Sequence, residues 1–468
     1  MDPEPDPLER VADLFSRILL ERQAQEARQP VIPPRDADDL RELLDLELPD
    51  DGRDLEAVGR RLRDLVRHTP STSSSGFFNQ LFAGREPAAL LGEAVAATLN
   101  SSMYTYKVGG PQVLVELELL RKLGTYVGFE DPDGVFTPGG SISNLCGMLL
   151  ARDRARPRLR EEGFGAQRLR VYTSEGSHYS VSKAMAMLGM GRKHLVRVPV
   201  DERGRMRVDA LVDAVRGDLD AGHEPVMVNA TAGTTVLGAF DPLDALADVC
   251  ERFDMWLHVD GAYGGSAVLD PGQAHLLEGC AHADSISWDA HKLMGAPLSC
   301  SVVLVREKGL LARSLDEDAS YLFQGDEAEL NPGTRSVQCG RRNDALKLWT
   351  LWQAVGSEGF AARLAGLRRM ALVAADLVRG TDGLELVREP EFLNVCFRIE
   401  GVCAKELCAE LTRRGLAMVG YALVDDDAVV RLVVANPATD EADLERLFGQ
   451  VREVAKDMRA GDVVRAAS

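Results

Sequence analysis

Two segments of the chain combine an apolar setting with a residue that could do chemistry. Lys292 directly follows His291 in DSISWDAHKLMGAPLSC (284–300). A lysine in a partly desolvated pocket is a good nucleophile and can bind a carbonyl carbon as a Schiff base. Asp260 follows the apolar residues MWL in HVDGAYGG (258–265), where a buried carboxylate would need a cation or a donor as its partner. The alternatives are a surface lysine that ends a strand and an aspartate that caps a helix.

Two further segments could hold an anion and a planar ring. In TPGGSISNLCGMLLAR (137–152), two glycines precede Ser141 and Ser143 at the start of a predicted helix, whose free amide groups suit a phosphate. An ordinary N-cap after a glycine turn is the alternative. His178, in SEGSHYS (174–180), could stack on a planar ligand, although a lone histidine is more often structural.

The elements that must position these residues form a regular pattern. Between about 85 and 335, helical patterns alternate with short apolar runs, which predicts a mostly parallel sheet covered on both faces. Ligands bind such sheets at the carboxyl ends of the strands. A phosphate site, a stacking histidine, an aspartate and a lysine, in this order, match the needs of pyridoxal phosphate. The predicted strands are 169–173, 194–200, 225–230, 255–260, 284–288 and 301–305.

We expect three parts in the chain. Residues 1–84 form an N-terminal helical segment, with helix-like stretches around Glu9–Arg28 and Asp38–Arg67. Residues 85–340 form the large cofactor-binding α/β domain. Residues 341–468 form a small α+β domain, with a long helix (357–379), two strands in FLNVCFRI and AVVRLVVAN, and helices at 403–414 and 440–459.

Composition excludes several classes of protein. The chain has 468 residues and a formal net charge of −19, which disfavours binding to nucleic acid or anionic membranes. No apolar run approaches the length of a membrane span, and the acidic start does not resemble a signal peptide. The eight cysteines are scattered without a CxxC pair, which favours reduced thiols in the cytoplasm over disulfides, and no metal site is expected.

The sequence resembles the group II pyridoxal-phosphate-dependent amino acid decarboxylases, and most of all their glutamate, cysteine sulfinate and aspartate decarboxylase branch. The resemblance extends from about 69 to 448. It rests on FNQL, PGGSISN, SEGSHYS, ATAGTTVLGAFDP, HVDGAYGGSAVL, DSISWDAHKLMGAPLSCS, ASYLFQ and QCGRRNDALKLWTLW, which occur together and in order. It implies the PLP-dependent transferase fold (aspartate aminotransferase-like, fold type I) and a homodimer with its active site at the subunit interface.

The resemblance also implies a role for each matching residue. Lys292 would bind the cofactor aldehyde, Asp260 would pair with the ring nitrogen and His178 would stack on the ring. The remaining implied residues are Ile142, Ser143 and His291 at the phosphate, Thr235 and Ala262 along the cofactor, and Gln80, Ser102, Tyr104 and Arg431 at the substrate.

The activity that the resemblance implies is α-decarboxylation of a short acidic L-amino acid, aspartate to β-alanine or cysteine sulfinate to hypotaurine. Glutamate-specific relatives carry Asn and Phe where this chain has Ser102 and Tyr104, and the small hydroxylated residues favour aspartate or cysteine sulfinate. Glutamate and 2,4-diaminobutyrate are the alternatives. Lys107, in TYKVGGPQ (105–112), replaces an acidic residue of the family pattern and either favours an anionic side chain or lies at the surface.

The segment GDEAELNPGTRS (325–336) lacks the loop tyrosine that protonates the carbanion in many relatives, and Leu330 lies nearest to its position. Decarboxylation-coupled oxidative deamination to an aldehyde is therefore a further alternative. Two other classes are a cofactor-binding protein without turnover and an aminotransferase. Retention of Lys292, Asp260, His178 and Arg431 disfavours the first, and the SISWDAHK and QCGRR contexts disfavour the second.

Overall fold

The computed structural model describes residues 6–26, 30–33, 35–164, 168–317 and 328–466. The chain forms two compact units. The terminal unit consists of Met1–Gly84, Val373–Val387 and Cys396–Ser468, and the large unit consists of Arg85–Leu372 and Arg388–Val395.

The helices and strands of the described residues alternate through most of the chain. The helices are α1 (Pro7–Glu26), α2 (Ala37–Leu43), α3 (Leu55–His68), α4 (Pro87–Leu99), α5 (Tyr106–Gly109), α6 (Pro111–Val127), α7 (Gly140–Ala155), α8 (Leu159–Glu162), α9 (Ser180–Met187), α10 (Val208–Asp220), α11 (Leu243–Arg252), α12 (Leu310–Leu315), α13 (Ala345–Arg379), α14 (Ala404–Arg413) and α15 (Glu441–Ala466). The strands are β1 (Phe77–Phe78), β2 (Asp133–Thr137), β3 (Leu169–Ser174), β4 (Leu195–Val198), β5 (Glu224–Thr231), β6 (Trp256–Gly261), β7 (Ser285–Asp289), β8 (Ser301–Val305), β9 (Leu384–Leu386), β10 (Asn394–Ile399), β11 (Met418–Val424) and β12 (Asp427–Val433).

The large unit is built on a seven-stranded sheet in the order β2-β8-β7-β6-β5-β3-β4. The pairs from β7 through β6, β5 and β3 to β4 are parallel, whereas β8 is antiparallel to both of its neighbours. Every residue of β2, β6, β7 and β8 is buried. Helices such as α7 cover the sheet, so side chains on both faces of these strands are buried.

The terminal unit contains a five-stranded sheet in the order β1-β11-β12-β10-β9. The acidic sequence VDDDA forms the turn between β11 and β12, where Asp425 and Asp426 are exposed and have positive φ angles of 51° and 66°. Of the helices among the described residues, none combines the length and apolar character needed to cross a bilayer.

Three sequence-based expectations need correction. The predicted stretch Asp38–Arg67 forms two helices, because the polar, Pro-containing segment after α2 interrupts it and Asp54 then caps α3. The long helix starts at Ala345 instead of 357 and passes Gly356, whose φ of 65° breaks the helical geometry locally. Strand β2 is absent from the predicted strands. The sheet is mostly parallel, as predicted, and β8 is the strand that runs antiparallel to its neighbours.

Candidate active site

Neighbouring strands of the large sheet end in polar side chains at one edge. β5 ends at Thr231, β6 carries Asp260 next to its last residue and β7 ends at Asp289. In the sheet, Asp260 lies opposite Thr231 on one side and Ser287 on the other. Lys292 follows β7 by one short turn. Parallel pairing therefore brings Asp260 and Lys292, both predicted from the sequence, to the edge where such sheets bind ligands.

The Asp260 carboxylate is almost fully buried and is held by neutral donors. Its Oδ2 accepts a hydrogen bond from Asn144 Nδ2 at 2.8 Å. Its Oδ1 accepts bonds from the Ala262 backbone N–H at 3.2 Å and the Ser287 hydroxyl at 3.3 Å. No arginine or lysine in the described part of the chain forms an ion pair with it. Because a buried carboxylate is costly without a cation, this position fits a protonated ring nitrogen.

A chain of hydrogen bonds leads from the start of β6 to Asp260. The Trp256 indole N–H donates to Ser285 Oγ at 2.9 Å, and Ser285 Oγ lies 2.7 Å from His258 Nδ1. His258 Nε2 lies 3.1 Å from Asn144 Oδ1. Asn144 Nδ2 donates to Asp260 Oδ2 and to Ser180 Oγ, so Asn144 Oδ1 must accept, and His258 therefore carries its proton on Nε2. We call these four residues, Trp256, Ser285, His258 and Asn144, the Asp260 relay.

The histidine of the relay is neutral and tightly enclosed. Burial lowers the pKa of His258 to about 4, although the negative charge of Asp260 opposes this shift. Gly147 of α7 makes room for the ring, because a Cβ at this position would lie 2.4 Å from His258 Nδ1. A neutral imidazole of fixed tautomer keeps the Asn144 amide oriented, so Asn144 can only donate towards Asp260.

Lys292 lies beside a carboxylate that the sequence reasoning missed. Its Nζ is 3.3 Å from Asp289 Oδ2, and the same oxygen is 3.7 Å from His291 Nε2. The other oxygen, Asp289 Oδ1, is buried without a hydrogen-bond partner in the structure. Burial lowers the pKa of His291, whose Nδ1 lies 3.2 Å from the Cys300 backbone N–H. Lys292 is partly buried and its ion pair with Asp289 sits at the end of β7.

The start of α7 has the features of a phosphate site. No side chain caps this helix, so its first amide groups are available to an anion. A Cβ on Gly139 would meet no atom within 4 Å, which leaves space beside the turn. The Ile142 and Ser143 amides bond to the Gly139 carbonyl, and the buried Ser143 hydroxyl lies 2.7 Å from Thr137 Oγ1. Both predicted phosphate contacts on α7, Ile142 and Ser143, thus already have hydrogen-bond partners within the protein.

His178 follows β3 and is half-buried. Burial lowers its pKa, and among the charges that act on it, Asp260 opposes this shift whereas Lys292 adds to it. Its Nδ1 accepts a hydrogen bond from the Ser180 backbone N–H at 3.3 Å. His178 is therefore an uncharged imidazole within range of the charges of Asp260 and Lys292, and such a ring can stack on a planar ligand.

The loop that carries Thr235 is fixed by a buried asparagine. Asn394 Nδ2 donates to the backbone carbonyls of Thr235 and Val236 at 3.0 and 2.9 Å. Its Oδ1 accepts a hydrogen bond from the Tyr263 hydroxyl at 2.8 Å. Tyr263 directly follows Ala262, so one asparagine ties together the two segments predicted to line the cofactor.

The predicted substrate residues of the large unit lie on a segment held by a buried ion pair. Arg341 binds Glu116 through two hydrogen bonds of 2.7 and 2.9 Å, and both side chains are almost fully buried. The Arg341 backbone N–H reaches Ser102 Oγ at 3.4 Å. A Cβ on Gly333 would lie 2.5 Å from the Tyr104 ring, so Gly333 allows this ring to pack closely.

The other predicted residues have different surroundings. Lys107 is exposed and Leu330 is half-buried. In the terminal unit, Arg431 on β12 donates through Nη2 to the Asn79 carbonyl, and Gln80 next to Asn79 is exposed. The segment ASYLFQ lies outside the described residues. Among the described residues, no group of three or more His, Cys, Asp or Glu side chains could hold a metal ion.

Comparison with known proteins agrees with this geometry. Residues 37–400 match the pyridoxal-dependent decarboxylase conserved domain. The chain belongs to the pyridoxal-dependent decarboxylase family. The cysteine sulfinic acid decarboxylase of Rattus norvegicus is 40% identical over 472 residues, covering 95% of this chain and 96% of the relative. The acidic amino acid decarboxylase GADL1 of Bos taurus is 36% identical, covering 96% and 91%.

Solved structures give the same result. A crystal structure of mouse CSAD in apo form has a TM-score of 0.92 and 38% sequence identity, covering 96% of this chain and 99% of the other. As a pyridoxal-dependent decarboxylase, the protein is a carboxy-lyase of fold type I that uses pyridoxal 5'-phosphate. The predicted family, fold, enzyme class and cofactor are confirmed.

Sequence reasoning missed Asn144, His258 and Asp289. A signal existed for His258, because residues two apart on a strand share a face, which places it beside Asp260. A comparable signal existed for Asn144, which follows Ser143 at the start of the helix over the sheet. Asp289 directly follows a predicted strand, where polar residues are candidates for ligand binding.

Proposed function

We propose that this protein decarboxylates a short acidic L-amino acid, aspartate or cysteine sulfinate, with pyridoxal phosphate bound covalently by Lys292. The observation that carries the proposal is the Asp260 carboxylate, buried among neutral donors on the strand next to the one that leads to Lys292. The identity to cysteine sulfinic acid decarboxylase over nearly the whole chain supports the choice of substrate.

The residues of the site have separable roles in this reaction. The bound cofactor supplies an electron sink for the bond between Cα and the carboxylate. Asp260 holds a proton on the ring nitrogen, and the Asp260 relay keeps the carboxylate oriented as a pure acceptor. Neutral His178 covers one face of the ring, and the uncapped start of α7 binds the phosphate together with His291. Lys292 would hold the cofactor through its side-chain amine.

Substrate selection is assigned to Ser102, Tyr104, Gln80 and Arg431. Ser102 Oγ accepts a hydrogen bond from a backbone N–H, so its own hydrogen is left to donate to an acidic side chain. Tyr104 and Gln80 supply further polar contacts, and Arg431 supplies the cation for a substrate carboxylate. Replacement of Arg431 by Ala should raise KM at least about tenfold with less effect on kcat, whereas Lys should restore part of the affinity. An unchanged KM in the Ala variant would exclude this role.

We also propose a cytoplasmic homodimer with the active site at the subunit interface. All eight cysteines are free, which suits a reducing compartment. On α4, Leu91, Val95 and Leu99 recur every four residues and are all exposed, which forms an apolar stripe. Covering such a stripe by a second copy of the chain would remove it from water. Light scattering of the purified protein tests the dimer, and a monomer at micromolar concentration would contradict it.

The decisive experiment is incubation of the reconstituted enzyme with aspartate, cysteine sulfinate, cysteate, glutamate and 2,4-diaminobutyrate. We expect CO₂ and the corresponding amine in equal amounts from aspartate or cysteine sulfinate. Lys292→Ala should lose both the visible absorbance of the bound cofactor and the production of CO₂. Absence of CO₂ with every acidic substrate would refute the proposed decarboxylation. A preference for glutamate or 2,4-diaminobutyrate would refute the proposed choice of substrate.

The missing loop tyrosine favours a second candidate. Without a tyrosine in 325–336 to protonate Cα, the carbon could instead be oxidised by O₂. The amino acid, O₂, water and one proton would then give an aldehyde, CO₂, ammonium and H₂O₂. Measurement of aldehyde and peroxide in the same incubations separates the two reactions, because simple decarboxylation produces neither.

A further inference from the structure

The buried carboxylate that pairs with Lys292, that of Asp289, has one oxygen without a hydrogen-bond partner. The Asp289 side chain is 3% exposed, its Oδ2 lies 3.3 Å from Lys292 Nζ, and its Oδ1 has no hydrogen-bond partner. A buried carboxylate usually fills its acceptor sites with backbone amides or arginine. Asp289 is instead left with the reactive amine as its partner.

The position of the carboxylate is fixed from the other side by α7. A Cβ on Gly140 would lie 2.8 and 2.9 Å from the two carboxylate oxygens, so Asp289 packs directly against the first turn of the helix. The positive end of the helix dipole stabilises a negative charge at this place. Asp289 is therefore held beside Lys292, and its carboxylate has little room to turn away.

No other cation of the described residues competes with Lys292 for Asp289. Burial lowers the pKa of both His291 and His178, which leaves these imidazoles neutral. Lys347 lies 2.8 Å from Glu93 and 3.0 Å from Asp344, so its charge is already compensated. Lys292 and His291 lie within 4 Å of the Asp289 carboxylate, and its charge also acts on the titratable side chains of His178 and Cys300.

We propose that Asp289 is the counterion of the Lys292 nitrogen and holds a proton on it both in the free amine and after the cofactor is attached. This inference rests on the proposed attachment of the cofactor to Lys292. A protonated carbon–nitrogen double bond is the form that an incoming amine attacks most readily, so Asp289 keeps the loaded enzyme ready to exchange Lys292 for the substrate. No net proton is gained or lost while the ion pair persists.

The test compares Asp289→Asn with the wild type in two spectroscopic and chemical measurements. In the holoenzyme, the visible band of the bound cofactor should be lost at a pH lower by about 1 unit or more, because a nearby opposite charge favours the protonated form. In the cofactor-free protein at pH 8, an amine-directed acylating reagent should modify Lys292 roughly tenfold faster, as read from the labelled peptide by mass spectrometry.

Two controls keep the result interpretable. Asp270→Asn removes another buried carboxylate of the large unit, paired with Arg368 at 2.9 Å, and should leave both measurements unchanged. Asp289→Ala should repeat the effect of Asn, so that misfolding of one variant does not decide the outcome.

The inference would be overturned if both Asp289 variants lost the visible band at the same pH as the wild type and if Lys292 were labelled at the wild-type rate. So would shifts of the same size in Asp270→Asn. Persistence of the visible band in Lys292→Ala would instead refute the attachment of the cofactor to Lys292, and with it the role of Asp289 as a counterion in the loaded enzyme.

Discussion

The neutral state of His258 makes folding stability depend on pH in a way that can be isolated. The pKa of His258 is about 4 in the folded protein and near 6.5 in an unfolded chain. Because the folded value is the lower one, the stability from neutral His258 is fully present above pH 6.5. It is lost as the pH falls from 6.5 towards 4, since the unfolded chain takes up the proton first.

The size of the effect follows from the two pKa values. At pH 5 the loss amounts to about 2 kcal/mol, and at pH 4 it approaches about 3 kcal/mol, at 1.36 kcal/mol per unit. His258→Gln carries a neutral amide that does not titrate. Its free energy of unfolding should therefore lack this part of the decline as the pH falls. All other titrating groups are shared by the two proteins, and the difference between their pH profiles therefore isolates one imidazole.

The assay is urea unfolding of the cofactor-free proteins between pH 7 and pH 4.5, followed by tryptophan fluorescence. Removal of the cofactor excludes its own pH-dependent binding from the result. His275→Gln is the matched control, because His275 is exposed in the same unit, and its profile should follow the wild type. If the stability difference between wild type and His258→Gln stays constant within about 0.5 kcal/mol from pH 7 to pH 5, the neutral, buried imidazole is refuted.

Three further predictions address the surroundings of the site. Glu116→Gln should lower the free energy of unfolding, measured in urea, by about 3–5 kcal/mol because it leaves the buried Arg341 charge uncompensated. The double variant with Glu116→Leu and Arg341→Met should recover most of this loss. Gly147→Ala should cost about 1–3 kcal/mol by pushing against the relay histidine, and equilibrium titration should show weaker cofactor binding. A thiol reagent should modify only Cys339 and Cys403 in the native protein, since the other six cysteines are buried, and intact-mass measurement would show a different count if this is wrong.

Much of the site could be predicted because it depends on local order along the chain. A strand, a polar residue at its end and a helix recur around Asp260 and Lys292, and parallel strands place such ends together without any further information. The phosphate turn and His178 follow the same rule. The family resemblance added the cofactor chemistry and the enzyme class.

The parts that could not be predicted depend on contacts between distant segments. Asn144 and His258 meet only after α7 packs over β6, and nothing in their local sequence fixes this crossing. The antiparallel β8 between β2 and β7 is a second example, because an apolar five-residue run does not reveal its direction. The break at Gly356 is a third, since a glycine within a helical pattern is usually tolerated.

The Asn144 amide also determines how much negative charge Asp260 can carry. Hydrolysis of this amide to a carboxylate would replace the group that donates to Asp260 by a second acceptor facing it at 2.8 Å. Two carboxylates at this distance share a proton, so Asp260 would no longer offer a full negative charge to its ligand. Asn144→Asp would therefore reduce the negative charge that Asp260 can offer, although it changes a single buried amide group.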